Sequence, residues 1–87
     1  MIKIWSDEAW DDYLNWQKEN KQYFKKINQL IKDIDRNGYD GIGHPEPLKY
    51  GFSGFWSREI SEKDRLIYRI VDGTIEIASC KGHYKDK

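Results

Sequence analysis

Between Arg65 and Tyr84 the chain reads RLIYRIV, then Asp72-Gly73, then TIEIASCKGHY, two β-prone runs divided by a two-residue turn signal. A type I′ turn needs positive φ at both central residues, which Asp-Gly tolerates, so the stretch predicts a hairpin and with it a register. Val71 is expected opposite Thr74, Arg69 opposite Glu76, Ile67 opposite Ala78 and Arg65 opposite Cys80, all on one side of the ribbon. Leu66, Tyr68, Ile70, Ile75 and Ile77 take the other side and supply the core. The arginines are thereby left on the more open face. Arg65 comes to lie beside the end of the last strand, where Lys81, Gly82, His83 and Tyr84 follow.

The 87 residues suffice for one small domain, residues 1–87, with a single core. A mean hydropathy of -0.93 and 34% charged residues would suit a disordered chain. Four Trp and six Tyr argue otherwise, because each large ring buries much area. A core this thin favours a dimer or an obligate partner. The single cysteine, Cys80, permits no internal disulfide, and no segment is apolar enough for a leader or a membrane span. A cytoplasmic protein is expected. Fifteen basic and fifteen acidic residues cancel, so any polyanion site must be local.

Taken in order, Ile2 to Trp5 alternate as a short strand, and Ser6 caps a helix opening with Asp7 and Glu8. The apolar stripe expected on that helix is Trp10, Tyr13, Leu14 and Gln17. Asn20 caps a second helix with the stripe Phe24, Ile27, Leu30, Ile31 and Ile34, which stops at Asn37-Gly38. Tyr39 to Pro47 reads as a loop that holds Glu46 extended between two prolines. Leu48 to Phe52 and Gly54 to Ile60 read as strands. A turn at Ser61 to Asp64 then sets Ile60 opposite Arg65, Arg58 opposite Ile67 and Trp56 opposite Arg69, which puts Arg58 on the open face. The order is β-α-α-β-β-β-β. An α+β fold is expected, a mostly antiparallel twisted sheet with the N-terminal helical hairpin packed on one face.

The open face then gathers Glu46, Lys49, Arg58, Arg65, His83 and Tyr84. His44 and His83 lack further ligands at metal-binding spacing, and Cys80 lacks a base that would make it a nucleophile. No metal or other cofactor is implied. An acid, guanidinium groups and an imidazole are the parts that cleave RNA without a metal: a base removes the 2′-OH proton, cations hold the phosphorane, and an acid protonates the leaving 5′-oxygen. Each residue also has an ordinary reading. Glu46 is equally a loop acid, Lys49 a surface lysine, Arg65 a sheet-surface arginine, His83 a solvated histidine and Tyr84 a ring at the core edge. Residue types and spacing leave both readings open.

A resemblance narrows them. IWSDEAWDDYLNWQ (4–17), KKINQLIKDI (25–34), GHPEPLK (43–49), SGFWSREI (53–60), DRLIYRI (64–70) and the closing His83-Tyr84 are similar, end to end, to the YoeB toxins of the RelE superfamily. The resemblance implies the toxin of a type II toxin-antitoxin system, a ribosome-dependent mRNA endonuclease held silent by a YefM-type antitoxin. It implies Glu46 as general base, Arg65 as the phosphorane-stabilising arginine, His83 as general acid, Tyr84 as the terminal active-site tyrosine and Lys49 as a lysine lining the site. The rival reading is a non-catalytic module of the same fold that binds its antitoxin and co-regulates transcription. Glu46, Arg65 and His83 are all present, which favours the enzyme. Where the family commonly has Arg-Arg this chain has Arg58-Glu59, so the second phosphate contact is either missing or supplied by Arg58.

Overall fold

The computed structural model describes residues 1–82. Strand β1 (Ile2–Trp5) leads into helices α1 (Asp7–Glu19) and α2 (Lys21–Asn37), followed by β2 (Glu46–Pro47), β3 (Trp56–Glu59), β4 (Arg65–Val71) and β5 (Thr74–Ser79). They form one five-stranded sheet in the order β1-β5-β4-β3-β2. The β2–β3, β3–β4 and β4–β5 pairs are antiparallel, and β1 adds to β5 in parallel at the edge. This is the expected α+β order, with the helices on one face.

The capping residues act as their chemistry suggests. Ser6 Oγ accepts from Ala9 N at 3.0 Å, and Asn20 Oδ1 accepts from Gln22 N and Tyr23 N. Gly38 ends α2 with φ 65° while its N–H donates to Ile34 O. The stripe of α2 lies where expected: Ile27, Leu30, Ile31 and Ile34 pack with Leu66, Tyr68, Ile75 and Ile77 of the sheet. Each such fully buried side chain contributes about 1.5–3 kcal/mol of transfer free energy. Helix α1 is turned from its expected face. It buries Ala9 and Trp16 and leaves Trp10 and Leu14 exposed, because its inward contacts run along β5. Trp16 Nε1 donates to Cys80 O at 2.9 Å, which gives the buried indole its polar partner.

The Asp-Gly hairpin forms with φ 48° at Asp72 and 74° at Gly73. Its register is the expected one from Val71–Thr74 through Tyr68–Ile77, and then shifts between Tyr68 and Ile67. Ile67 lies opposite Ser79 rather than Ala78. The extra residue reverses the alternation beyond it. Cys80, expected opposite Arg65 on the open side, is instead wholly buried with its thiol toward Ala9 O at 3.3 Å, and Arg65 N donates to Gly82 O at 3.0 Å.

Three further expectations fail over the span from β2 to β4. Leu48 to Phe52 is not a strand: Tyr50 has φ 57° and opens a 3-10 turn over Tyr50–Phe52. Glu46 and Pro47, expected in a loop, pair with Ser57 and Trp56 as an edge strand, where a missing proline N–H is tolerated. The β3–β4 register is one residue from the expected one, with Trp56 opposite Tyr68, Arg58 opposite Leu66 and Glu59 opposite Arg65. Trp56 therefore stacks on Tyr39, and Arg69 lies over Phe55 instead.

That shift moves Arg58 from the open face into the core, where it is 0% exposed. Its Nε donates to Tyr68 OH, its Nη1 to Asp33 Oδ2 and Ile42 O, and its Nη2 to Gly38 O and Asp40 O. All the N–H groups of a guanidinium are thus engaged, and none is left for a phosphate. The arginine clamps the loop after α2 to the sheet. The loop approaches so closely that a Cβ on Gly41, at φ 124°, would lie 1.9 Å from Asp33 Oδ2.

Candidate active site

The open face of the sheet carries Glu46 and Arg65, two of the residues singled out from the sequence. Residues directly opposite share a side, so Glu46 (β2), Ser57 (β3), Ile67 (β4) and Ser79 (β5) make one row across it. Glu59 and Arg65 begin the next row. Between the row and the end of β5 lies a cleft of about 330 Å³ whose described lining includes Phe52, Ile67, Ala78, Ser79, Lys81 and Gly82. Ile67, at the floor, is only 3% exposed, and the charged residues of the described lining are Glu8 and Lys81.

Arg65 is held before any ligand arrives. Its Nη1 donates to the carbonyls of Ser61, Glu62 and Asp64 in the preceding turn, and its Nη2 lies 3.4 Å from Glu59 Oε2. The side chain keeps 16% of its surface exposed. Glu59 Oε1 lies 3.9 Å from His44 Nε2, a histidine that is 82% exposed. Asp64 organises the same turn: Oδ2 accepts from Ser61 Oγ, and Oδ1 accepts from Gly82 N at 2.8 Å. The backbone immediately before His83 is thereby tied to the Arg65 turn.

Of the residues singled out from the sequence, Glu46 and Arg65 share the open face, and Lys49 is exposed at the start of the 3-10 turn. Arg58 stands on the opposite side of the sheet. His83 and Tyr84 lie outside the described residues. Asp64 has no site role in the sequence reading, and Glu59 enters it only as the residue in place of the family's second arginine. Glu59 was hidden by the one-residue register error, whereas Ser61 and Asp64, three apart around a turn, carried a legible side-chain-to-backbone signal. Cys80 offers no nucleophile, since burial pushes its thiol up to about 12. Among the described residues no group of three or more His, Cys, Asp or Glu side chains is placed to hold a metal ion, and no helix is long and apolar enough to cross a membrane.

Residues 5–84 match the sequence model of the YoeB-like toxins of bacterial type II toxin-antitoxin systems. The toxin YoeB of Escherichia coli strain K12 is 56% identical over 84 residues, covering 97% of this chain and all of the relative. Among solved structures, the YoeB dimer of Staphylococcus aureus superposes with a TM-score of 0.91 at 47% identity, covering 97% of this chain and 98% of that one. The S. aureus YoeB–YefM complex gives 0.90 at 48% identity with the same coverage. A match that runs through the helical hairpin, the Glu46 edge strand and the Arg65 hairpin alike leaves one assignment: this chain belongs to the YoeB-like toxins of bacterial type II toxin-antitoxin systems.

Proposed function

We propose that the chain is a ribosome-dependent mRNA endonuclease that cuts in the ribosomal A site by attack of the substrate's own 2′-oxygen. Glu46 removes the 2′-OH proton. The 2′-oxygen bonds to phosphorus, the P–O5′ bond breaks, and His83 delivers a proton to the departing 5′-oxygen. Arg65 holds the charge on the phosphorane, with Lys49 and Tyr84 lining the site. The products are a 2′,3′-cyclic phosphate and a 5′-hydroxyl. Each proton has a side-chain carrier, so no metal is required.

The single observation that supports this reading is the shared open face, with Glu46 opposite Ser57 and Arg65 opposite Glu59 on adjoining rows of the sheet. Carboxylate and imidazole are weak partners for a ribose hydroxyl, so alignment of the 2′-oxygen with the phosphate must supply much of the rate, ~7–11 kcal/mol in well-oriented systems. The ribosome supplies it by bending the mRNA. An antitoxin of the YefM type silences the chain by covering this face, and the toxin dimerises; the S. aureus YoeB is known both in complex with YefM and as a dimer.

Mapping the ends of one mRNA cut on intact ribosomes, with EDTA added after assembly, tests the reading. A cyclic phosphate is expected, at a rate far above that on free RNA. A 3′-hydroxyl product, or equal rates on free and ribosome-bound RNA, overturns it.

A further inference from the structure

We propose that Glu59 competes with the substrate phosphate for Arg65, making the acid a specificity residue that favours RNA delivered in a fixed position over RNA in free solution. The inference rests on the reading of Arg65 as the phosphate-holding group.

The geometry separates the two edges of the guanidinium. Nη1 is occupied by the carbonyls of Ser61, Glu62 and Asp64, which fix the arginine to its own turn. Nη2 faces Glu59 Oε2 at 3.4 Å, so an incoming phosphate meets an N–H edge already turned to a carboxylate. Glu59 is not a wandering surface acid. It stands directly opposite Arg65 in the ladder, and its backbone N donates to Gly43 O at 2.7 Å. A Cβ on Gly43 would lie 2.8 Å from Leu30 Cδ2, which shows how tightly that anchor is seated. With 43% of its side chain exposed, Glu59 is free to yield. Arg65 keeps its three carbonyl contacts when Glu59 withdraws, so the acid competes for the arginine without being needed to position it.

Two charges compete for one donor edge, and a pair of this exposure is weak. The carboxylate therefore handicaps a phosphate by a modest factor, about two- to fivefold, rather than excluding it. RNA binding from solution bears that handicap in full. A phosphate presented at high effective concentration displaces the carboxylate with little loss of rate.

The test uses a short RNA carrying a 2′-deoxy residue at the cleavage position, which cannot react. Its affinity is measured by fluorescence anisotropy for wild type, Glu59→Gln, Arg65→Ala and the double variant. Steady-state cleavage of ribosome-bound mRNA is followed in parallel. Glu59→Gln is expected to bind the oligonucleotide about two- to fivefold tighter while kcat and KM on ribosome-bound mRNA change by less than that factor, and an equal gain on ribosomes would overturn the claimed preference for positioned RNA. The gain should vanish in the Arg65→Ala background. Unchanged or weaker binding by Glu59→Gln, or a gain that persists without Arg65, overturns the competition while leaving the Arg65 reading intact. Cleavage by Arg65→Ala at the wild-type rate overturns that reading and the inference with it.

Discussion

Asp33 and Arg58 form an ion pair on the helix side of the sheet, with the arginine side chain 0% exposed and the aspartate 16%. The pair joins α2 to β3, and the guanidinium also gathers the carbonyls of Gly38, Asp40 and Ile42. Because the loop it holds runs on into Glu46, a contact remote from the open face sets where the proposed base stands.

The two arginines that looked alike in the sequence should therefore behave oppositely. Arg58→Met leaves a carboxylate and three carbonyls without their donor and is expected to cost about 3–5 kcal/mol in urea unfolding. Arg58→Lys should recover only part of this, since an ammonium cannot reproduce the planar fork. Arg65→Ala should cost about 1 kcal/mol while cleavage on ribosomes falls ~10²-fold or more. Matching stability losses at the two positions would contradict the division.

Acid should weaken the Asp33 clamp in a defined direction. The hydrogen bond from Arg58, opposed by burial and aided by Ile42 N and Asn37, holds the Asp33 carboxyl below its ordinary 3.8. A depressed carboxylate stabilises the fold above its unfolded value, and that contribution is lost as pH falls through the folded one. Asp35, held low by Lys3 and the N-terminal ammonium, acts in the same sense. Thermal melts from pH 5 to pH 2 should thus fall more steeply for wild type than for Asp33→Asn, with the two converging at the acid end. Parallel slopes would show that the pair does not couple folding to protons.

Most of the architecture was legible because local signals agreed with tertiary ones. Ser6, Asn20, Asn37-Gly38 and Asp72-Gly73 each specify a backbone conformation on their own, and the α2 stripe needed only its period. The residues assigned to the wrong side of the sheet share a cause. A β register has period two, so a single residue reverses every side chain beyond it. The bulge near Ala78 sent Cys80 into the core, and the longer turn at Ser61 to Asp64 did the same to Arg58 while exposing Glu59. Neither has a local signature as strong as Asp-Gly. A buried arginine is also a poor guess from composition, because three of its acceptors are carbonyls of a loop whose path the sequence does not reveal.

The inverted side of Cys80 has a direct chemical consequence. Its thiol is 0% exposed, and burial raises it to about 12, so almost no thiolate forms near neutral pH. A thiol-specific disulfide reagent should leave the native protein unmodified over hours and titrate one thiol once guanidinium unfolds it. Rapid labelling under native conditions would place the residue on the open face after all.

Asp64 acts on the site through the backbone and hydroxyl it holds. Asp64 Oδ1 accepts from Gly82 N, and Oδ2 accepts from Ser61 Oγ, so one carboxylate binds the Arg65 turn to the backbone that precedes His83. If His83 is the acid, its imidazole must reach the 5′-oxygen while Arg65 holds the same phosphate, and the Asp64 bridge ties the Arg65 turn to Gly82, the residue next to the histidine in sequence. Asp64→Ala should lower stability by about 1–2 kcal/mol, the loss of a pair of partly exposed hydrogen bonds. Its effect on kcat should be larger, about 10- to 100-fold, because small misplacements of an acid relative to its proton acceptor are amplified in the rate. Asp64→Asn keeps an oxygen for Gly82 N and should restore most of kcat, with KM little changed in both variants. Single-turnover cleavage on ribosomes, beside urea unfolding of the same samples, separates the two effects. An alanine variant that cuts at the wild-type rate would mean that the end of β5 is positioned by Trp16 and the sheet alone.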